Sequence, residues 1–159
     1  MAHGGLSDSA GAFTGDEHGG HEQPPPQPER RRTYKGGARL APAQLRKAQE
    51  LMFEQLTGTL QLVEIAAELG MSTVHFKRAF KNTVGIPPYG WHLRQRIARS
   101  ASLLHDETLT LAEIAATCGF SDQSHYTKAF RRLLGITPGK WRRKLRAGVA
   151  RNDDLIKLN

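Results

Sequence analysis

From Pro42 onward the chain alternates apolar-periodic stretches with glycine- or proline-marked breaks, and the period is that of helices rather than strands. Pro42 suits the first turn of a helix, and Leu45, Ala48, Met52, Phe53 and Leu56 follow at helical spacing until Gly58 ends the run. Further helices are predicted over Leu62 to Leu69, over Thr73 to Thr83, and over a longer stretch from Pro88 to about Leu104. In that long helix Trp91, Leu93, Ile97, Ala101 and Leu104 form the inward stripe. Arg94, Arg96 and Arg99 lie off its centre, with their charged ends able to reach solvent. Three more helices are expected near 111–118, 123–134 and 138–146. No stretch carries strand alternation, so the expected class is all-α with seven helices.

The pattern occurs twice. Leu60 to Gly70 matches Leu109 to Gly119 at an offset of 49, and one extra residue after the second glycine makes the offset 50. His75, Phe76, Ala79, Phe80, Gly85, Ile86, Pro88 and Trp91 then correspond to His125, Tyr126, Ala129, Phe130, Gly135, Ile136, Pro138 and Trp141. Two copies are too few for a solenoid. They fit two homeodomain-like helix-turn-helix subdomains joined by the helix at 88–104. Ile65 with Ala66, and Ile114 with Ala115, supply small close-packing faces, while Gly70 and Gly119 stand where a tight turn needs positive φ. Ser72 is placed to cap one second helix, and Ser121 or Asp122 the other. Thr110 with Glu113 forms a capping-box pattern; Gln61 replaces the hydroxyl residue in the first copy, so that cap is expected to be weaker. Phe80 and Phe130 anchor the second helices in the core.

The outward faces of these second helices are polar, basic and unlike each other. The first presents Val74, Lys77, Arg78 and Lys81; the second presents Gln123, Ser124, Thr127, Lys128 and Arg131. Arg and Lys suit guanine acceptors, Gln suits adenine, and Val or the Thr methyl packs on a thymine methyl. Such faces point to major-groove recognition, with two different base sequences read by one monomer. Ordinary solvated faces are the alternative, which the recurrence of the arrangement weakens. His75 and His125 share one repeat position beside an aromatic, where packing or hydrogen bonding is expected rather than catalysis.

Charge sharpens this picture. Met1 to Leu40 holds five basic residues (Arg30, Arg31, Arg32, Lys35, Arg39) against five acidic ones (Asp8, Asp16, Glu17, Glu22, Glu29). The remaining 18 basic and 10 acidic residues follow, so the net charge of +8 sits wholly on the periodic part. A basic folded unit favours a polyanion, most often nucleic acid. Residues 1–40, rich in Gly and His, then Pro24 to Pro26 and Arg30 to Arg32, lack the apolar area to offset backbone entropy and are expected to be disordered. Their basic run suits either loose phosphate contacts or a solvated tail.

Other chemistries find little support. Cys118 is the one cysteine, which excludes an internal disulfide, suits a reducing compartment and is expected to be a small core residue. His3, His18 and His21 lack a scaffold for a metal, and no metal or cofactor is expected. There is no phosphate-cradling glycine loop, paired catalytic carboxylate set or HExxH motif, so no catalytic residues are assigned. No apolar run approaches the roughly 20 residues of a membrane span, and no signal core opens the chain, so a cytoplasmic location is expected.

With these residues in view, the chain resembles the DNA-binding domain of the AraC/XylS family of bacterial transcription regulators over about Leu45 to Arg143. The resemblance is carried by Gly119-Phe120-Ser121-Asp122-Gln123-Ser124-His125-Tyr126, then Phe130, Gly135, Thr137-Pro138 and Trp141-Arg142, with Trp141 where Tyr is more usual. Arg96, Ala101 and Leu103-Leu104 in the long helix also fit. The resemblance implies base contacts by Val74, Lys77, Arg78, Gln123, Ser124, Thr127 and Lys128 in successive major grooves; phosphate contacts are assigned to Lys81, Arg94, Arg131 and Lys140. It further implies a regulator acting on double-stranded DNA, usually as an activator, with RNA polymerase as a candidate partner. The expected layout is an arm over 1–40 and a DNA-binding domain over 41–146. Within that domain the first unit spans about 43–87, the linking helix 88–104 and the second unit 105–146; a tail at 147–159 follows. No small-molecule effector domain is evident, so the chain looks like the family's short stand-alone members. Two alternatives use or replace these helices. One is a DNA-binding accessory or architectural protein without promoter function. The other is a Cys-based DNA-repair enzyme, against which the position of Cys118 argues.

Overall fold

The computed structural model describes residues 37–149. The expectations placed on the three N-terminal histidines, the proline run, Arg30 to Arg32 and most of the C-terminal tail lie outside the described residues. Seven helices follow in order: α1 Pro42–Glu54, α2 Leu62–Glu68, α3 Thr73–Val84, α4 Pro88–Leu103, α5 Leu111–Thr117, α6 Gln123–Leu134 and α7 Pro138–Arg146. Among the described residues there is no strand, and no helix is long and apolar enough to cross a membrane.

The helix starts follow from local chemistry. Pro42, Pro88 and Pro138 open α1, α4 and α7, where a missing N–H costs nothing. Ser72 Oγ accepts from the His75 N–H at 3.2 Å, and Asp122 Oδ1 accepts from the His125 N–H at 2.7 Å. The choice between Ser121 and Asp122 thus falls to the carboxylate, which Ser121 supports by donating its hydroxyl to Asp122 Oδ2 at 3.0 Å. Thr110 and Glu113 close a full capping box on α5. At α2 the Gln61 side chain makes no cap; the Gln61 N–H instead donates to Gln55 Oε1 at 2.7 Å, a partner from outside the helix.

Two apolar clusters form. α1, α2 and α3 bury Ala48, Met52, Ile65, Ala66, Phe76, Ala79 and Phe80, together with Trp91 from the start of α4. The rest of α4 contributes Ile97 and Ala101, and its C-cap Leu104, to a second cluster with Ile114, Ala115, Phe120, Tyr126, Phe130 and Trp141. The inward stripe of the linking helix therefore serves two cores in succession. Its first turn closes one unit, and its later turns stand to α5 and α6 as α1 stands to α2 and α3.

Four expectations are corrected. α1 ends at Glu54, ahead of Gly58, and Leu56 is buried from the turn that follows. Phe53 lies at the margin of the core, 48% exposed, with its ring edge-on to Trp91 at 5.2 Å. Leu40, assigned to the arm, is buried; its N–H donates to Thr83 Oγ1 at 2.8 Å, and the Ala38 carbonyl accepts from Asn82 Nδ2 at 3.1 Å. An apolar side chain backed by two backbone bonds holds this stretch to α3. Finally, the Arg96 guanidinium does not run to solvent. It turns inward onto three main-chain carbonyls, those of Leu56, Gly58 and Gly119.

Candidate nucleic-acid interface

α3 and α6 each divide lengthwise. Phe76, Ala79 and Phe80 turn inward on α3, as do Tyr126, Ala129 and Phe130 on α6. Edge-to-face and tilted rings carry each anchor: Phe76 to Phe80 at 5.6 Å and Phe80 to Trp91 at 6.0 Å, against Tyr126 to Phe130 at 5.7 Å and Phe130 to Trp141 at 6.0 Å. With the inner face fixed, the outer face is fixed too. Val74, Lys77, Arg78 and Lys81 are exposed on α3, and Gln123, Ser124, Lys128 and Arg131 on α6, while Thr127 is half-buried. Val74 is 75% exposed, which leaves its methyl groups available to an apolar group of a partner.

Of the remaining sequence-assigned residues, Lys140 is exposed in the first turn of α7, and Arg94 is half-buried on α4. Both helix ends of each reader are braced. Gly85 and Gly135 take φ of 87° and 78° to stop α3 and α6 in a left-handed cap. His125 at the α6 entrance packs edge-on against Phe120 at 5.4 Å, and its Nδ1 lies 3.2 Å from Ser121 Oγ, in keeping with the packing role expected for it.

The electrostatics favour an anion. No acidic residue occurs between Glu68 and Asp106, or between Asp122 and Asp153, so α3, α4, α6 and α7 carry cations alone. Asp122 sits at an N-terminus, where the His125 amide and Ser121 hydroxyl hold its carboxyl below the usual range. Cys118 is fully buried, and desolvation pushes its thiol above the usual value, the reverse of what a nucleophile needs. Among the described residues no cluster of His, Cys, Asp and Glu could hold a metal ion.

The repeat extends further than the apolar residues indicate. His92 and Arg96 stand one repeat before Arg142 and Arg146, and both pairs hold the connector that leads into their unit. His92 Nε2 lies 3.2 Å from the Gln55 carbonyl, and Arg96 Nε donates to the Leu56 carbonyl at 2.6 Å. Arg142 Nη2 donates to the Leu109 carbonyl at 2.8 Å, and Arg146 pairs with Glu107. These polar positions were missed because the side chains differ in type; the offset of 50 alone would have paired them.

A family model described as a helix-turn-helix domain matches residues 65–144. The chain is similar to the virulence regulon transcriptional activator VirF of Yersinia enterocolitica, 34% identical over 96 residues, covering 60% of this chain and 35% of that protein. It is also similar to the HTH-type transcriptional regulator ExsA of Pseudomonas aeruginosa, 30% identical over 103 residues, 65% of this chain and 37% of that protein. The chain thus spans little more than a third of the length of these relatives. Among solved structures, an AraC-type DNA-binding regulator from Chromobacterium violaceum superposes with a TM-score of 0.60 at 29% identity, over 64% of this chain and 91% of that one. The DNA-binding domain of AdpA, a global transcriptional factor solved with a target DNA, superposes with a TM-score of 0.59 at 30% identity, over 65% and 94%.

Proposed function

The chain belongs to the AraC/XylS family of helix-turn-helix transcription regulators, and on that premise we propose that it is a sequence-specific regulator, an activator, that reads double-stranded DNA through α3 and α6 together. The observation that carries this reading is the recurrence of one arrangement: a helix anchored by a buried aromatic pair, with an exposed basic face that holds no carboxylate. Val74, Lys77 and Arg78 take one major-groove segment, and Gln123, Ser124, Thr127 and Lys128 the next, about 34 Å along the duplex. Lys81, Arg94, Arg131 and Lys140 contact phosphates and set the register. Because the two faces differ, the site for one copy is asymmetric. If the fixed spacing of the readers does not suit straight DNA, the duplex bends to meet it.

The family and fold are those of DNA-binding regulators rather than enzymes, and the buried Cys118 thiol fits that reading. The names of the relatives support activation: VirF is described as a transcriptional activator. Contact with RNA polymerase, with a cytoplasmic site of action, completes the proposal. So does the expected layout, with the arm ending ahead of Ala38, whose stretch is held to α3, and a tail after 146.

The first test needs no known operator. Binding of the full chain to random-sequence duplex is titrated against salt. Association that weakens steeply and linearly on a log–log plot is expected, since every displaced phosphate counterion adds to the slope. Absence of duplex binding at low salt overturns the reading. Transcription in vitro from a promoter bearing a selected site then separates an activator from an accessory or architectural binder.

A further inference from the structure

Arg96 sits where the two units meet. It rises from the shared helix α4, and its planar fork spends each arm on a different main-chain carbonyl. Nε donates to Leu56 at 2.6 Å, Nη2 to Gly58, and Nη1 to Gly119 at 2.7 Å. The first two acceptors belong to the connector between α1 and α2; the third belongs to the turn between α5 and α6. The Phe120 ring lies beneath, 6.0 Å from the guanidinium carbon. Its repeat counterpart, Arg146, pairs with Glu107 within its own unit and bridges nothing.

The same seam explains a difference between the two turn glycines. A Cβ on Gly70 would meet nothing within 4 Å, whereas one on Gly119 would fall 2.7 to 2.9 Å from the Thr57 backbone. Gly119 therefore serves twice, for its φ of 77° and for the close approach of the two units. A shared helix by itself sets the distance between two bodies but leaves to their packing the resistance to bending one body against the other. A brace away from the helix axis, between backbone groups that cannot change rotamer, resists the bending mode as well.

We propose that Arg96 is a positioning residue that fixes α3 against α6 and thereby decides which gap between two DNA blocks the chain accepts. The proposal rests on the two-reader function above. One base pair added to the gap moves the second block by about 3.4 Å and rotates it by about a tenth of a turn. Selecting a single gap therefore requires the readers to hold position more tightly than that. Lys cannot replace Arg here, because its three donors radiate from one nitrogen and cannot reach three separated carbonyls.

The test uses the full chain and two readouts. Val63 on α2 and Ala112 on α5 are exposed, repeat-equivalent positions, so Val63→Cys with Ala112→Cys takes spin labels while buried Cys118 stays unlabelled. With Arg96 present, one narrow distance distribution is expected; with Arg96→Lys it broadens while cooperative melting is retained. On duplex selected by the unaltered chain, lengthening the gap by one base pair should weaken binding roughly tenfold or more, and less than about threefold for Arg96→Lys. Arg96→Ala should behave likewise; if it does not fold, Arg96→Lys and Arg96→Gln decide. An unchanged narrow distribution and an unchanged gap preference in folded Arg96→Lys overturn the proposal. If the unaltered chain fails to bind duplex at all, the two-reader function falls, and the distance distributions still decide whether Arg96 is the brace.

Discussion

In the first unit Phe76 lies tilted on Phe80, which meets Trp91 edge to face beneath α3; in the second, Tyr126, Phe130 and Trp141 meet beneath α6 with nearly the same centroid distances. The entrances are less alike. α5 begins with a closed capping box and α6 with a carboxylate cap, while α2 has no cap from its own Gln61 and α3 a hydroxyl cap. The outward faces share least of all: Val74, Lys77 and Arg78 on one side, Gln123, Ser124, Thr127 and Lys128 on the other. What must hold the reader in place is repeated, and what must meet the DNA is varied. The difference teaches that the chain is one instrument with two tips.

The largest expected effects test the repeated part. Phe80→Ala and Phe130→Ala should each destabilise by about 3–5 kcal/mol, since both leave a cavity in a fully packed core. Urea unfolding measures this, and a much smaller cost for one of them would break the equivalence of the units. Next come the varied faces. Arg78→Ala should lose about 1–3 kcal/mol on a specific site and relax preference at one or two base pairs. Arg131→Ala should weaken all sequences alike and lower the salt slope by about 1. Equal losses for Arg78→Ala on specific and random duplex would remove it from base reading.

Smaller effects test the entrances. Thr110→Ala, which removes the box on α5, should cost about 1 kcal/mol, whereas Gln61→Ala at the equivalent position should cost close to nothing. Gln55→Ala should cost more than Gln61→Ala, because Gln55 supplies the bond the local cap does not. Comparison of melting temperatures decides. The last effect is in pH. Burial, with Arg96 beside it, holds the His92 imidazole below its ordinary 6.5, against the opposing pull of the Gln55 carbonyl. The unfolded chain then binds the extra proton first, so stability is complete above 6.5 and declines as pH falls below it. His92→Gln should flatten that slope between neutral pH and about pH 5; an unchanged slope would assign it to other groups.

The helices, their order and the repeat were legible because apolar period, capping residues and turn glycines act locally and leave their pattern in the sequence. Pro42, Pro88 and Pro138 mark three helix starts, and Gly70 and Gly119 take the positive φ their positions call for. The outward placement of the residues proposed to read DNA followed from Phe80 and Phe130, because anchoring one face of a helix leaves the other no choice. Arg96 was not legible. Its partners are main-chain carbonyls, which any residue type provides, and they lie 40, 38 and 23 residues away. Leu40 escaped for a related reason: a lone leucine after an arm rich in Gly and Pro has no periodic neighbours to show that it is buried.

The central claim is that two unlike readers act as one rigid pair. Selection of duplexes bound by the full chain from a random library, followed by sequencing, tests it most directly. An asymmetric motif of two blocks about one DNA turn apart, with a single dominant gap, is the predicted result. A single short block, a palindrome, or two blocks at freely varying separation would contradict it.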